Sequence, residues 1–132
     1  MTSDWFKNTS VHVLTAPDFE NDHAWITKDK KCQLLFFLAN WCGHCKNLKP
    51  ELIKFADVAQ FIKVGAIDSD AQKELLEKMQ GPGSPIKIKG YPTIWIYKNG
   101  KPLREYTGEN NAKGLLAEAL KVCGTKCECE SK

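Results

Sequence analysis

Residues 34 to 39, LLFFLA, are apolar without a break and run directly into NWCGHCK at 40 to 46. A strand with one face in water alternates polar and apolar side chains, whereas an unbroken run fits a strand covered on both faces, in the middle of a sheet. Whatever follows such a run is held at the end of the most buried strand of the fold. Here it is a pair of thiols three positions apart, Cys42 and Cys45.

The rest of the chain supplies the layers this strand needs. VHVL (11 to 14) predicts a short strand, and APDFENDHAWITKD (16 to 29), with acids early and spaced apolar residues, predicts a modest helix. From Cys42 to about Phe61 the apolar residues Leu48, Leu52, Ile53, Phe55, Ala56 and Val58 follow a helical period, with Pro50 expected to kink it. IKVGAID (62 to 68) predicts a strand and DAQKELLEKM (70 to 79) a helix with Lys78 near its end. GPGSP (81 to 85) must be a loop, because two glycines and two prolines in five residues forbid regular structure. YPTIWIY (91 to 97) and PLREY (102 to 106) flank Asn99-Gly100, which supplies the positive backbone angles of a tight hairpin turn. AKGLLAEALKV (112 to 122) closes the order as an amphipathic helix. The expected class is α/β, with a ten-residue N-terminal extension (1–10), one domain over 11–122 and a Cys-rich tail over 123–132.

At 132 residues the chain is long enough for one real core, and a monomer is the expected state. Nineteen basic and sixteen acidic residues are interspersed, for a net charge of +3, so neither nucleic acid nor an anionic membrane is expected as a partner. No apolar run is long enough to span a bilayer. The start, MTSDWFKNTS, lacks a basic stretch followed by an apolar one, so a secretory signal is expected to be removed or never present. Asn8-Thr9-Ser10 matches a glycosylation acceptor, a triplet that also arises by chance.

A helix that begins at Cys42 points unpaired amides and the positive end of its dipole at that sulfur, which favours the reactive thiolate. His44, when protonated, adds positive charge beside it, and Lys46 does so more weakly. Cys45, one turn in, is expected to be sheltered. The asymmetry assigns attack on a client sulfur to Cys42 and release of the mixed disulfide to Cys45. The residues leave two alternatives. A zinc half-site lacks a second pair at matching spacing, and His44 lies between the sulfurs where it cannot easily join them on one ion; a purely structural disulfide would not need a helix start and a neighbouring histidine.

FFLANWCGHCKNLKPE (36 to 51) resembles the active-site segment of the protein disulfide isomerase catalytic domains, within the thioredoxin superfamily. GYPTIWIYKNG (90 to 100) extends the resemblance, which covers Val11 to Val122. It implies a thioredoxin fold, a mixed five-stranded sheet flanked by about four helices. It also implies a redox dithiol of Cys42 and Cys45, with Gly43 and His44 completing the catalytic motif. Trp41, Tyr91 and Pro92 would then contact substrate, Pro92 in a cis peptide that leaves the carbonyl and amide of Tyr91 for a client chain. Neither a metal nor any other cofactor is implied. The partners implied are unfolded or partly folded proteins bearing thiols or disulfides, with an upstream oxidant or glutathione, in the lumen of the endoplasmic reticulum. The terminus CECESK contains no retrieval tetrapeptide. Two functions remain beside disulfide oxidation and isomerisation: a reductase of thioredoxin type, and a thioredoxin-like chaperone that binds unfolded chains near Trp41 and Tyr91.

Three positions depart from the family pattern. The buried acid five residues before the motif tryptophan is Phe36 here, and the lysine that pairs with it is Ala66. Joint loss is physically consistent, since one buried charge without its partner costs about 3 to 5 kcal/mol while two apolar groups can be neutral; plain core packing explains Phe36 equally well. After YTG (106 to 108), where the family has an arginine, stand Glu109, Asn110 and Asn111, with Lys113 nearby. Cys45 is therefore expected to lack its usual aids to ionisation and to release mixed disulfides slowly. GPGSPIK (81 to 87) is longer than the family connection, a surface insertion or a shaper of substrate access. Cys32, Cys123, Cys127 and Cys129 allow three connectivities if all pair, besides a free buried Cys32, an unpaired tail, a four-thiol zinc site or exchange of a tail thiol with Cys42.

Overall fold

The structure, a computed structural model, describes residues 2–124. The apolar run becomes β2 (Gln33–Leu38), with all six residues buried. It pairs in parallel with β3 (Lys63–Asp68) and antiparallel with β4 (Thr93–Lys98). β1 (His12–Val13) adds in parallel beyond β3, and β5 (Lys101–Glu105) antiparallel beyond β4. The five-stranded order is β1-β3-β2-β4-β5, which puts β2 at the centre.

Alternation along β2 builds two cores at once. Leu34, Phe36 and Leu38 face α1 (Gly43–Val58) and α3 (Ala112–Cys123), joined there by Ile94 and Ile96 from β4. Leu35 and Phe37 face the other way, onto Leu75, Leu76 and Met79 of α2 (Lys73–Met79) and onto Trp95 and Tyr97. Each fully buried side chain of this size is worth about 1.5 to 3 kcal/mol, so a single strand anchors both layers. The β4–β5 turn forms as expected, with Asn99 at φ 58° and Gly100 at φ 84°. Gly100 is required twice over, since a Cβ there would also meet the Thr27 carbonyl at 2.8 Å.

The expected helix over 16 to 29 does not form, which leaves three α-helices among the described residues rather than about four. Only Ala16–Asp18 makes a single 3-10 turn, in which the Asp18 carboxylate accepts from the Thr15 amide at 2.8 Å. Beyond it, tertiary hydrogen bonds win over the weak helical pattern. Phe19 and Thr27 form a β-bridge, and Tyr97 donates its hydroxyl to the Trp25 carbonyl at 2.6 Å. The buried Gln33 amide donates to Thr27 Oγ1 and to the carbonyls of Asp29 and Lys31. α2 starts later than expected because Asp68 Oδ1 accepts from the amides of Asp70 and Ala71, turning the chain first. α1 runs on through Pro50, where the missing N–H leaves the Lys46 carbonyl without its helical partner.

Both ends of the domain are packed. Thr2–Phe6 forms a 3-10 helix whose Phe6 is buried in the α1/α3 core. α3 continues through Cys123, which is disulfide-bonded to Cys32 just ahead of β2, with Cα atoms 5.9 Å apart. This selects one pairing among those the sequence allowed; Cys127 and Cys129 lie outside the described residues. No helix among the described residues is long and apolar enough to cross a membrane.

Candidate redox site

β2 hands its register to the site. After Leu38 the chain turns through Ala39, Asn40 and Trp41, and Cys42 caps α1. Its sulfur accepts from the Cys45 amide at 3.2 Å, one of the free N–H groups of the first helical turn. The Cys42 thiol donates in turn to the Tyr91 carbonyl at 3.3 Å, and the Tyr91–Pro92 peptide is cis. Cys42 is only 6% exposed and Cys45 is fully buried; both are free thiols.

Trp41 is 67% exposed, and its ring stands edge-on to Tyr91 with centroids 5.8 Å apart. A residue not singled out by sequence holds it there. Asp70 accepts from the Asn40 amide at 3.0 Å and from Trp41 Nε1 at 3.1 Å, so one carboxylate fixes the loop and the ring. The only signal was the acid pair Asp68 and Asp70 in the turn after a strand, and that pattern marks a helix entry just as well.

The structure thus brings Trp41, Cys42, Cys45, Tyr91 and Pro92 together. His44 is exposed and makes no hydrogen bond to a described residue. Gly43 opens α1 with no atom within 4 Å of a would-be Cβ, so packing does not demand glycine there. Among the described residues no group of three or more His, Cys, Asp or Glu gathers that could hold a metal ion.

Burial, helped by the neighbouring Cys42 sulfur, pushes the Cys45 thiol up to about 12. What lies behind it is apolar. Phe36 and Ala66 are direct partners in the β2–β3 register, both buried in the core that contains Cys45. The Phe36 ring packs against Phe55 at 6.5 Å. Of residues 109 to 111, Asn111 serves the next helix and Glu109 bonds Tyr106. Asn111 caps α3 by accepting from the Gly114 amide at 2.8 Å, Glu109 offers its carbonyl to the Tyr106 hydroxyl, and Glu51 of α1 accepts from the Ala112 amide at 2.8 Å.

A family model described as Thioredoxin matches residues 10–121. The chain belongs to the thioredoxin family. Among its relatives, a protein disulfide-isomerase A6 homolog of Drosophila melanogaster is 33% identical over 112 residues, 83% of this chain and 24% of that protein. A protein disulfide-isomerase like 2-2 of Arabidopsis thaliana is 37% identical over 115 residues, 86% of this chain and 24% of that protein. The chain therefore spans about a quarter of the length of these curated relatives. Among solved structures, the first thioredoxin domain of mouse protein disulfide-isomerase A4 matches with a TM-score of 0.63 and 32% identity, covering 91% of this chain and 81% of that one. The J-Trx1 fragment of ERdj5 shares the fold with a TM-score of 0.69 at 23% identity, covering 88% of this chain and 53% of that one.

Proposed function

We propose that this thioredoxin domain is a thiol-disulfide oxidoreductase that forms and rearranges disulfides in protein clients through Cys42 and Cys45. The observation that carries the reading is the contrast in one sulfur's surroundings: Cys42 receives an amide hydrogen bond at 3.2 Å, while Cys45 sits fully buried behind it. The Cys42 thiolate attacks a client disulfide, forming a Cys42–client bond and releasing the other client sulfur as a thiolate that takes a proton from water. Cys45, once deprotonated, attacks the Cys42 sulfur, which frees the client's second thiol and leaves a Cys42–Cys45 disulfide. Running the same steps backwards oxidises a client dithiol, and glutathione or an upstream oxidant resets the pair. The disulfide-isomerase relatives support clients of protein type, and residence in the lumen of the endoplasmic reticulum is what the resemblance to that family implies.

The test is refolding of a scrambled-disulfide protein in glutathione buffer. The wild-type chain is expected to accelerate recovery of native pairing, and Cys42→Ser with Cys45→Ser to lose that acceleration. Equal recovery with both proteins rejects the enzymatic reading and leaves the chaperone one, for which the exposed Trp41 beside Tyr91 is the relevant surface.

A further inference from the structure

The segment Pro85-Ile86-Lys87-Ile88-Lys89 alternates, with Ile86 buried and Ile88 half-buried while Pro85, Lys87 and Lys89 are exposed. In extended chain every second residue shares a face, so the two lysines stand side by side. The loop is pinned in that form. The Ile86 amide donates to Ser84 Oγ at 3.0 Å, and the Ile88 amide donates to Gln80 Oε1 at 2.9 Å. Lys87 and Lys89 line a groove of about 490 Å3 together with Pro85, Tyr91 and Trp95, and Glu105 of β5 brings the opposing charge to the same lining. The Lys87 ammonium donates to the Gln80 carbonyl at 3.4 Å, and neither lysine has an ion-pair partner among the described residues. The groove is continuous with the redox site, because Tyr91, which lines it, also accepts the hydrogen bond from Cys42 at 3.3 Å.

We propose that this groove is a charge-selective subsite for the client polypeptide, taking an acidic side chain two or three residues from the reacting cysteine. The inference rests on the disulfide-exchange reading and adds the chemistry of its substrates. An extended client advances about 3.3 Å per residue, so a residue two or three places from a sulfur joined to Cys42 reaches past Tyr91 to the lysines. The Pro85, Tyr91 and Trp95 side of the lining takes the methylene stem of a glutamate, and the ammonium of Lys89, with that of Lys87 two residues before it, takes its carboxylate. Glu105 repels an acid placed at the β5 end, which confines the preference to the loop side.

The experiment uses the full chain with Cys45→Ser, so that the mixed disulfide accumulates, and peptides whose single cysteine is capped as a disulfide with 2-mercaptoethanol. Cys42 attacks the peptide sulfur, the capping thiolate leaves and takes a proton from water, and the adduct is counted by mass. With glutamate two residues from the cysteine, adduct formation is expected about fivefold faster than with lysine there, shrinking to less than about twofold in 0.5 M salt. Lys87→Glu with Lys89→Glu is expected to reverse the order while leaving the reaction with bis(2-hydroxyethyl) disulfide unchanged. Equal rates for the two peptides overturn the subsite. So does a preference that survives the double reversal, since the charge sensed is then that of His44 or Lys46. Failure to react even with the small neutral disulfide overturns the exchange reading itself, and the subsite with it.

Discussion

One strand carries two cysteine pairs at its opposite ends, and they differ in nearly every physical respect. Cys32, one residue before β2, is bonded to Cys123 at the end of α3, 91 positions away. Cys42, four residues after β2, stands free beside Cys45, three positions away on a helix start. The distant pair closes a loop through most of the domain, and cross-links of that span are the ones that most restrict an unfolded chain. The near pair closes almost nothing, so its worth lies in how easily it opens. Spacing and surroundings therefore separate a staple from a tool within one short stretch of sequence.

That contrast can be broken in order of effect. Cys42→Ser is expected to lower client disulfide exchange by at least about a thousandfold, because the attacking sulfur is gone; refolding of a scrambled client measures it, and the melting temperature should hardly move. Cys32→Ser should do the reverse, costing about 2 to 4 kcal/mol in denaturant titration while the rate of Cys42 alkylation stays within about twofold of wild type. A strong loss of alkylation in Cys32→Ser would show that the two ends of β2 are not independent.

On the proposed exchange reading, Cys45 is expected to be the slow partner of the pair. Its raised value leaves it neutral at pH 7, and the attacking thiolate fraction grows as pH rises toward that value. Release of a trapped client should accelerate about tenfold per pH unit between pH 6 and 9, followed by quenched single-turnover kinetics. A flat profile would mean that something other than Cys45 ionisation limits release. Introducing Phe36→Glu with Ala66→Lys places a carboxylate in the core behind Cys45 and is expected to speed release about tenfold near neutral pH, whereas Phe36→Glu alone should cost about 3 to 5 kcal/mol of stability. The smallest effect is expected from Asp70→Asn. It weakens the bonds that hold Asn40 and Trp41, and a two- to threefold slower encounter with unfolded clients, at unchanged reactivity toward a small disulfide, is the expected readout.

How legible the molecule was depends on whether a feature is local. LLFFLA announced the central strand because nothing but double burial suits it, and Asn99-Gly100 announced the hairpin because few residues accept those angles. The helix expected over 16 to 29 failed because Gln33, just beyond it, and Tyr97, far along the chain, supply the hydrogen bonds that hold it open. In the site, the place of Cys42 at a helix start was readable from the motif, and the neighbouring positions of Phe36 and Ala66 from the resemblance. Asp70 was not, because its role is a long-range bond to a loop thirty residues earlier. The pairing of Cys32 with Cys123 was equally out of reach, since it depends on where α3 ends relative to the start of β2.

The double burial of β2 has a further consequence for motion. A strand whose alternate residues are locked into two separate cores cannot shift without disturbing both, so the end that presents Cys42 behaves as a fixed anvil. Adjustment during exchange falls to the client chain. Backbone amides of β2 should accordingly rank among the slowest to exchange with deuterium, in the reduced and the oxidised protein alike.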